Sequence, residues 1–216
     1  MTRLNHSHQA SLFDPRLART VHLIGVGSVG SWVAVMLARV GITDIHVWDG
    51  DSVASHNVPM SAYGKSDIGK VKVIALQELI ERETGVRITI HEKMYEGEPL
   101  RNASVISCVD TMMARSVIWN AAKRKPTIDF FGDTRLNAAF IDILSIAPCK
   151  AEEIKDYESL SFSDEDAQTQ VCGMHGIVFA TSRAAGVIVA NLTRFWTYGM
   201  KEWRVTERCD TLQRVF

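Results

Sequence analysis

The sequence predicts an α/β domain built on a doubly wound, mostly parallel sheet with helices on both faces. Three observations carry that expectation. From residue 20 onward, short β-branched apolar runs alternate with longer stretches of helical spacing, the pattern of strand–helix–strand units whose parallel strands must be covered on both sides. A glycine cluster separates the first such run from the first helical stretch, where the chain has to turn tightly out of a strand. With 216 residues, 46% of them hydrophobic, the chain can bury one core without disulfides or metals.

Residues 1–19 (MTRLNHSHQASLFDPRLAR) form an N-terminal segment with no apolar stretch of signal-peptide length. Residues 20–216 are read as a single domain. TVHLI (20–24) is the first strand, and it runs through GVGSVG into the helix SWVAVMLARV (31–40). Gly41 breaks that helix, and DIHVW (44–48) is the second strand, completing one βαβ unit. After a polar loop, VKVIALQELIERE (71–83) has helical spacing and VRITIH (86–91) alternates as a strand does. SVISCV (104–109) is a fourth strand, 114–124 a helix, TIDFF (127–131) a fifth strand, and the small-residue-rich run 176–195 a late helix packed on the sheet. The acid-rich stretch AEEIKDYESLSFSDEDAQTQ and its neighbour, about 151–171, is expected to be a surface loop.

Charge and composition exclude several classes. A formal charge of −1 from nearly matched acids and bases offers no broad basic field for nucleic acid or an anionic membrane. No segment has the uninterrupted length of a membrane span, so a cytoplasmic protein is expected. The four cysteines, at 108, 149, 172 and 209, form no CxxC pair, and apart from His6-Ser7-His8 the seven histidines form no HxH or HxxxH, so no zinc or other transition-metal site is expected. His6, His8 and His56 have no third ligand nearby in sequence.

The run Gly25-Val26-Gly27-Ser28-Val29-Gly30 follows a strand and opens a helix, the context in which GxGxxG cradles phosphate. Its glycines allow close backbone approach, and the helix start offers free N–H groups and a positive dipole end. This is a Rossmann-like arrangement. Asp49, at the end of the second strand, is placed to accept both hydroxyl hydrogens of a ribose; its plainer role would be a turn or helix cap. That position fits a dinucleotide and ATP equally.

The stretch WDGDSVASHNVPMSAYGKSDIGKVKVIALQEL adds more specific information. Its spacing of Asp49, Asp51, Asn57, Asp67, Gly69 and Lys72 resembles that of the ThiF/MoeB/HesA E1-like adenylyltransferases, and the likeness extends over roughly residues 14–195. The resemblance implies an ATP- and magnesium-dependent enzyme that adenylates the C-terminal carboxylate of a ubiquitin-like or sulfur-carrier protein, and it implies a homodimer. It assigns Lys72 to the α-phosphate, where positive charge offsets what develops as pyrophosphate leaves. Asp110 would hold magnesium, and Asn57 would turn its amide to the phosphates. Each also has an ordinary reading: a surface lysine, a strand-end cap, a turn asparagine. Arg135, in FFGDTRLNA, resembles an arginine after the fifth strand in relatives, or else pairs with Asp133; Asp51 reads as a turn residue beside Asp49.

The chain also departs from the pattern. Many active relatives carry an arginine followed by glutamine where this sequence has Met60 and Ser61. Lys65, Lys70, Arg16 or Arg19 could replace the missing charge, or be solvated surface groups. The departure keeps a second class open, an E1-like scaffold with weakened chemistry, and a third, an NAD-dependent oxidoreductase, which would leave the Asn57 to Lys72 pattern without a purpose. Cys172 in QVCGMHG lies close to where some relatives place an acyl-accepting cysteine; His175 or the next helix could lower its pKa, and a small buried residue is the alternative. Cys108 is expected in the core. The closing RVF lacks Gly-Gly, so the chain is expected to act on a modifier rather than to be one.

Overall fold

The computed structural model describes residues 4–100, 102–160, 176–210 and 213–214. Eight strands form one sheet in the order β3-β2-β1-β4-β5-β6-β7-β8. They are β1 (Thr20–Ile24), β2 (Ile45–Trp48), β3 (Thr89–His91), β4 (Ala103–Ser107), β5 (Ile128–Asn137), β6 (Phe140–Ile146), β7 (Arg204–Arg208) and β8 (Gln213–Arg214). The first five run parallel and the last three extend the sheet antiparallel. The doubly wound, mostly parallel core is as the alternation predicts.

Five α-helices among the described residues cover the sheet: α1 (Ser28–Arg39), α2 (Lys72–Thr84), α3 (Met112–Ala122), α4 (Ala151–Ser159) and α5 (Val178–Tyr198). Neighbouring strand residues face opposite ways, so Val21 and Leu23 join one cluster with Leu37, Leu76, Ile188 and Leu192 of α1, α2 and α5. Ile24, Val105 and Phe131 join another with Ile118, Trp119, Ile154 and Tyr157 of α3 and α4. Phe130 and Phe131, adjacent in sequence and fully buried, belong to one cluster each. Gly85 and Gly199, at φ 75° and 67°, end α2 and α5 in the left-handed conformation that favours glycine.

Two expectations need correction. The first half of the supposed acidic loop is helix α4, which buries Ile154 and Tyr157 while Glu152, Asp156 and Glu158 face out; residues 161–171 of that loop lie outside the described residues. The fifth strand does not stop at 131 but runs to Asn137 and returns as β6, so Asp133 and Arg135 sit within the strand rather than after it. The return is a two-residue turn, Asn137 pairing with Phe140, with Ala138 at φ 54°.

Candidate functional site at the carboxyl ends of the parallel strands

Parallel strands deliver their loops to one edge of the sheet, and the turns after β1, β2 and β4 meet there. The turn after β1 is the glycine run. Gly25, at φ 83°, lies so close to the next loop that a Cβ would sit 2.8 Å from the Cys108 carbonyl oxygen. A Cβ on Gly30 would lie 2.0 Å from the Gly25 carbonyl oxygen, so this residue lets the helix start against its own turn. Gly27 differs: nothing lies within 4 Å of where its Cβ would be, and no side chain caps the start of α1. The result is an open helix start with free donors, the feature that binds phosphate.

Side chains hold this turn in place. Asp49, 6% exposed, accepts the Val26 N–H at 2.9 Å through Oδ2 and the Asp51 N–H at 2.9 Å through Oδ1. The Tyr63 hydroxyl donates to the Val26 carbonyl at 2.6 Å, and burial raises its pKa well above the ordinary phenol value, so it stays a donor. Ser31 Oγ accepts the Ala62 N–H at 3.0 Å, tying α1 to the following loop. Asp49 is thus a turn organiser as well as the strand-end acid; only its remaining lone pairs could meet a ribose.

Lys72 is the first residue of α2 and is buried, 8% exposed, not a surface lysine. Its Nζ lies 2.8 Å from Asp51 Oδ2 and 3.6 Å from Asp49 Oδ1. Backbone pairing explains the spacing: Lys72 N–H donates to the Asp51 carbonyl at 2.8 Å, Val53 N–H to Lys70 at 2.8 Å, and Gly69 N–H to Val53 at 2.9 Å. Residues 51–53 and 69–72 therefore run side by side and deliver one cation to two carboxylates. Asn57 is used in its own turn, its Oδ1 accepting the Ala54 N–H at 2.9 Å, so only its NH2 end could face a phosphate. Asp67 binds the Gly64 N–H at 2.9 Å and Lys70 at 3.2 Å.

Asp110 is exposed in the loop after β4, beside the glycine turn, since Cys108 N–H donates to the Ile24 carbonyl at 2.8 Å. One carboxylate plus phosphate oxygens is an ordinary magnesium environment. Among the described residues, no group of three or more His, Cys, Asp or Glu is arranged to hold a metal ion by itself.

Neither N-terminal arginine offered as a replacement for the family arginine reaches this edge within the chain. Arg16 chelates Asp14, with Nη2–Oδ2 at 2.6 Å; the adjoining Pro15 packs on Gly41, past the far end of α1. Arg19 pairs with Asp129 at 2.6 Å, at the amino end of β1. Lys70 is held by Glu78 at 2.6 Å, and Lys65 is exposed. The Met60 carbonyl accepts from Thr181 Oγ1 at 2.7 Å and Trp32 Nε1 at 3.3 Å, and its N–H donates to the Asn57 carbonyl at 3.2 Å.

Cys172 and His175 lie outside the described residues. Burial pushes the Cys108 thiol up to about 12, so it stays protonated and unreactive, as a core residue should. Cys149 is exposed with its thiol on the Lys125 carbonyl, and burial raises the pKa of Cys209. A cleft of about 740 Å³ between residues 97–100 and α3 includes none of the candidate residues in its walls.

Two clusters escape sequence reasoning. Asp133, fully buried, accepts from Arg115, from Arg135 Nε at 2.9 Å and from the Tyr157 hydroxyl at 3.0 Å. The contact of Arg135 with Asp133 is the pairing that one of its two sequence readings gives. His22, His46 and His91 line up across β1, β2 and β3, with ring centroids 4.7 and 5.7 Å apart and His91 stacked on Trp48 at 3.7 Å. Beyond the Asp133–Arg135 pair within β5, no sequence motif marks either, because the other members come from different strands and helices.

An open glycine turn, an acid behind it and a buried lysine at the carboxyl edge of a doubly wound sheet define a Rossmann-type domain of the E1-like class. The chain belongs to the ThiF family, whose family model matches residues 16–208. Ubiquitin-like modifier-activating enzyme 5 of Caenorhabditis briggsae is 32% identical over 150 residues, 61% of this chain and 34% of that enzyme. The chain thus spans about a third of the length of that relative. E. coli MccB crystallised with SeMet MccA superposes with a TM-score of 0.76 at 14% identity over 98% of this chain and 71% of that one. MccB crystallised with ATP gives 0.72 at 15% identity over 95% and 64%, and PaaA gives 0.73 at 18% over 93% and 64%. At these identities the likeness is one of fold. No helix among the described residues is long and apolar enough to cross a membrane.

Proposed function

We propose that this chain is an ATP-dependent adenylyltransferase that activates the C-terminal carboxylate of a ubiquitin-like, sulfur-carrier or peptide partner. The observation that carries the reading is Lys72, buried against Asp49 and Asp51 beside an uncapped helix start. A buried ammonium next to free N–H donors is suited to the charge on a triphosphate. The relatives' names point the same way: one activates a ubiquitin-like modifier, and MccB has been crystallised with ATP and with MccA.

In this reading the glycine turn holds the phosphates through backbone N–H groups, and Asp49 meets the ribose. Lys72 exchanges Asp51 for the α-phosphate. A carboxylate oxygen of the partner attacks the α-phosphorus, the bond to the bridging oxygen breaks, and pyrophosphate leaves as the acyl-adenylate forms. Asp110 would hold magnesium, which supplies neutralisation of the phosphate charge. Transfer of the acyl group to Cys172, and a homodimer in which a partner's arginine supplies the missing charge, extend the proposal.

One observation favours a second reading. With Met60 in place of the arginine and Arg16 and Arg19 held at the other end of the sheet, the chain would bind nucleotide as a scaffold. ATP–pyrophosphate exchange with magnesium and candidate carriers, run beside Asp110→Ala and with calorimetry for ATP and NAD, separates them. Exchange lost in the variant supports adenylation, ATP binding without exchange supports the scaffold, and NAD binding in preference to ATP overturns both.

A further inference from the structure

The geometry points to Arg115 as a positioning residue for Asp110, an inference that rests on the adenylation reading above. Arg115 lies in the first turn and a half of α3 and is 6% exposed. Its guanidinium is divided between two tasks: Nη1 donates to Asp133 Oδ1 and Nη2 to the carbonyl oxygen of Val109, the residue before Asp110. A planar fork can make both contacts from one rigid group. Asp133 is in turn fixed by Arg135 Nε and by the Tyr157 hydroxyl, so the fork is anchored in strand β5 and helix α4. At the other side the loop is pinned by Cys108 N–H on the Ile24 carbonyl at 2.8 Å.

Asp110 itself is exposed and follows this doubly pinned stretch. The strand-to-helix turn from 108 to 111 is therefore set by Arg115 from below and by β1 from the side. An exposed acid on a loop has many rotamers and backbone states, whereas one on a fixed turn presents its carboxylate to the glycine turn at little entropic cost. Arg115 touches no reacting atom; it acts by fixing the peptide that carries one that would.

Arg115→Lys tests this. Lysine keeps a cation for the buried Asp133 but, as a single donor centre, cannot span Asp133 and the Val109 carbonyl together. Tyr157→Phe is the control: it removes a hydrogen bond from the same carboxylate and leaves the fork intact. The readout is the magnesium concentration for half-maximal exchange at saturating ATP, with amide hydrogen exchange of residues 108–111. Arg115→Lys should raise the magnesium requirement roughly tenfold, as loss of an outer-shell support does, and speed amide exchange at 108–111; Tyr157→Phe should lower thermal stability and move neither. Equal shifts in both variants, no shift in Arg115→Lys, or unfolding of Arg115→Lys while Tyr157→Phe folds would overturn the assignment in favour of a purely structural role. If wild type shows no exchange the adenylation reading fails, whereas unchanged amide protection in Arg115→Lys fails the positioning role by itself.

Discussion

Lowering the pH tests the histidine row. His22 is 8% exposed, with the Trp48 indole N–H directed at its Nδ1 at 3.4 Å. Burial first, then the neighbouring His46 and His91, lower its pKa from 6.5 to about 4, against a small opposing pull from Asp44. Burial also lowers His91. The sign follows from which state binds the proton. Above pH 6.5 His22 is neutral folded and unfolded and has no effect. Between 6.5 and 4 the unfolded chain takes up a proton that the folded chain refuses, so stability falls with pH; below 4 the loss is complete. A shift of that size corresponds to about 3 kcal/mol at roughly 1.4 kcal/mol per pH unit. His22→Gln keeps an acceptor for Trp48 and cannot titrate. Urea unfolding from pH 8 to pH 4 should show wild type losing about 2–3 kcal/mol more than His22→Gln over that interval. Parallel slopes for the two proteins, or an NMR titration placing His22 near 6.5, would refute the reasoning.

Other expected outcomes follow from the site and the core. Gly30→Ala meets the Gly25 carbonyl and should cost about 3 kcal/mol in denaturant unfolding, while Gly27→Ala, with nothing near its Cβ, should keep its stability and lose ATP affinity by calorimetry. Lys72→Met should lower ATP–pyrophosphate exchange by roughly 100-fold or more, with circular dichroism still native. Ile154→Ala, in the helix where a loop was expected, should cost about 2–4 kcal/mol in thermal or urea unfolding, since the side chain is 5% exposed in the core. Cys172→Ala should leave exchange intact and abolish any thioester with the carrier, read on a non-reducing gel.

Much of the parallel half of the fold was legible because local signals agreed there. TVHLI, the glycine turn and the helical run SWVAVMLARV each point to the same strand–turn–helix. The antiparallel half was not. The β5–β6 turn is Ala138-Ala139, with alanine rather than glycine or asparagine at φ 54°, so the usual hairpin signal is missing. In α4 the apolar residues Ile154 and Tyr157 are three apart, a helical spacing hidden among acids. Lys72, Asp49 and the glycines could be singled out because they lie in one stretch of sequence, at a strand end, a strand-to-helix turn and a spacing that resembles a family's. Arg115 meets Asp133 through the packing of α3 on the sheet, and the three histidines meet through sheet order and register, neither of which a window of sequence contains.

The lacing of Val26 bears on the thermodynamics of ligand capture. Its N–H is taken by Asp49 and its carbonyl by Tyr63, so the two peptide units flanking Val26 in the glycine turn are each held by a hydrogen bond before any ligand arrives. An anion arriving there would find the loop already rigid. Association should then be rapid and free of a slow isomerisation phase, and the binding entropy should be dominated by released water rather than by an ordering loop.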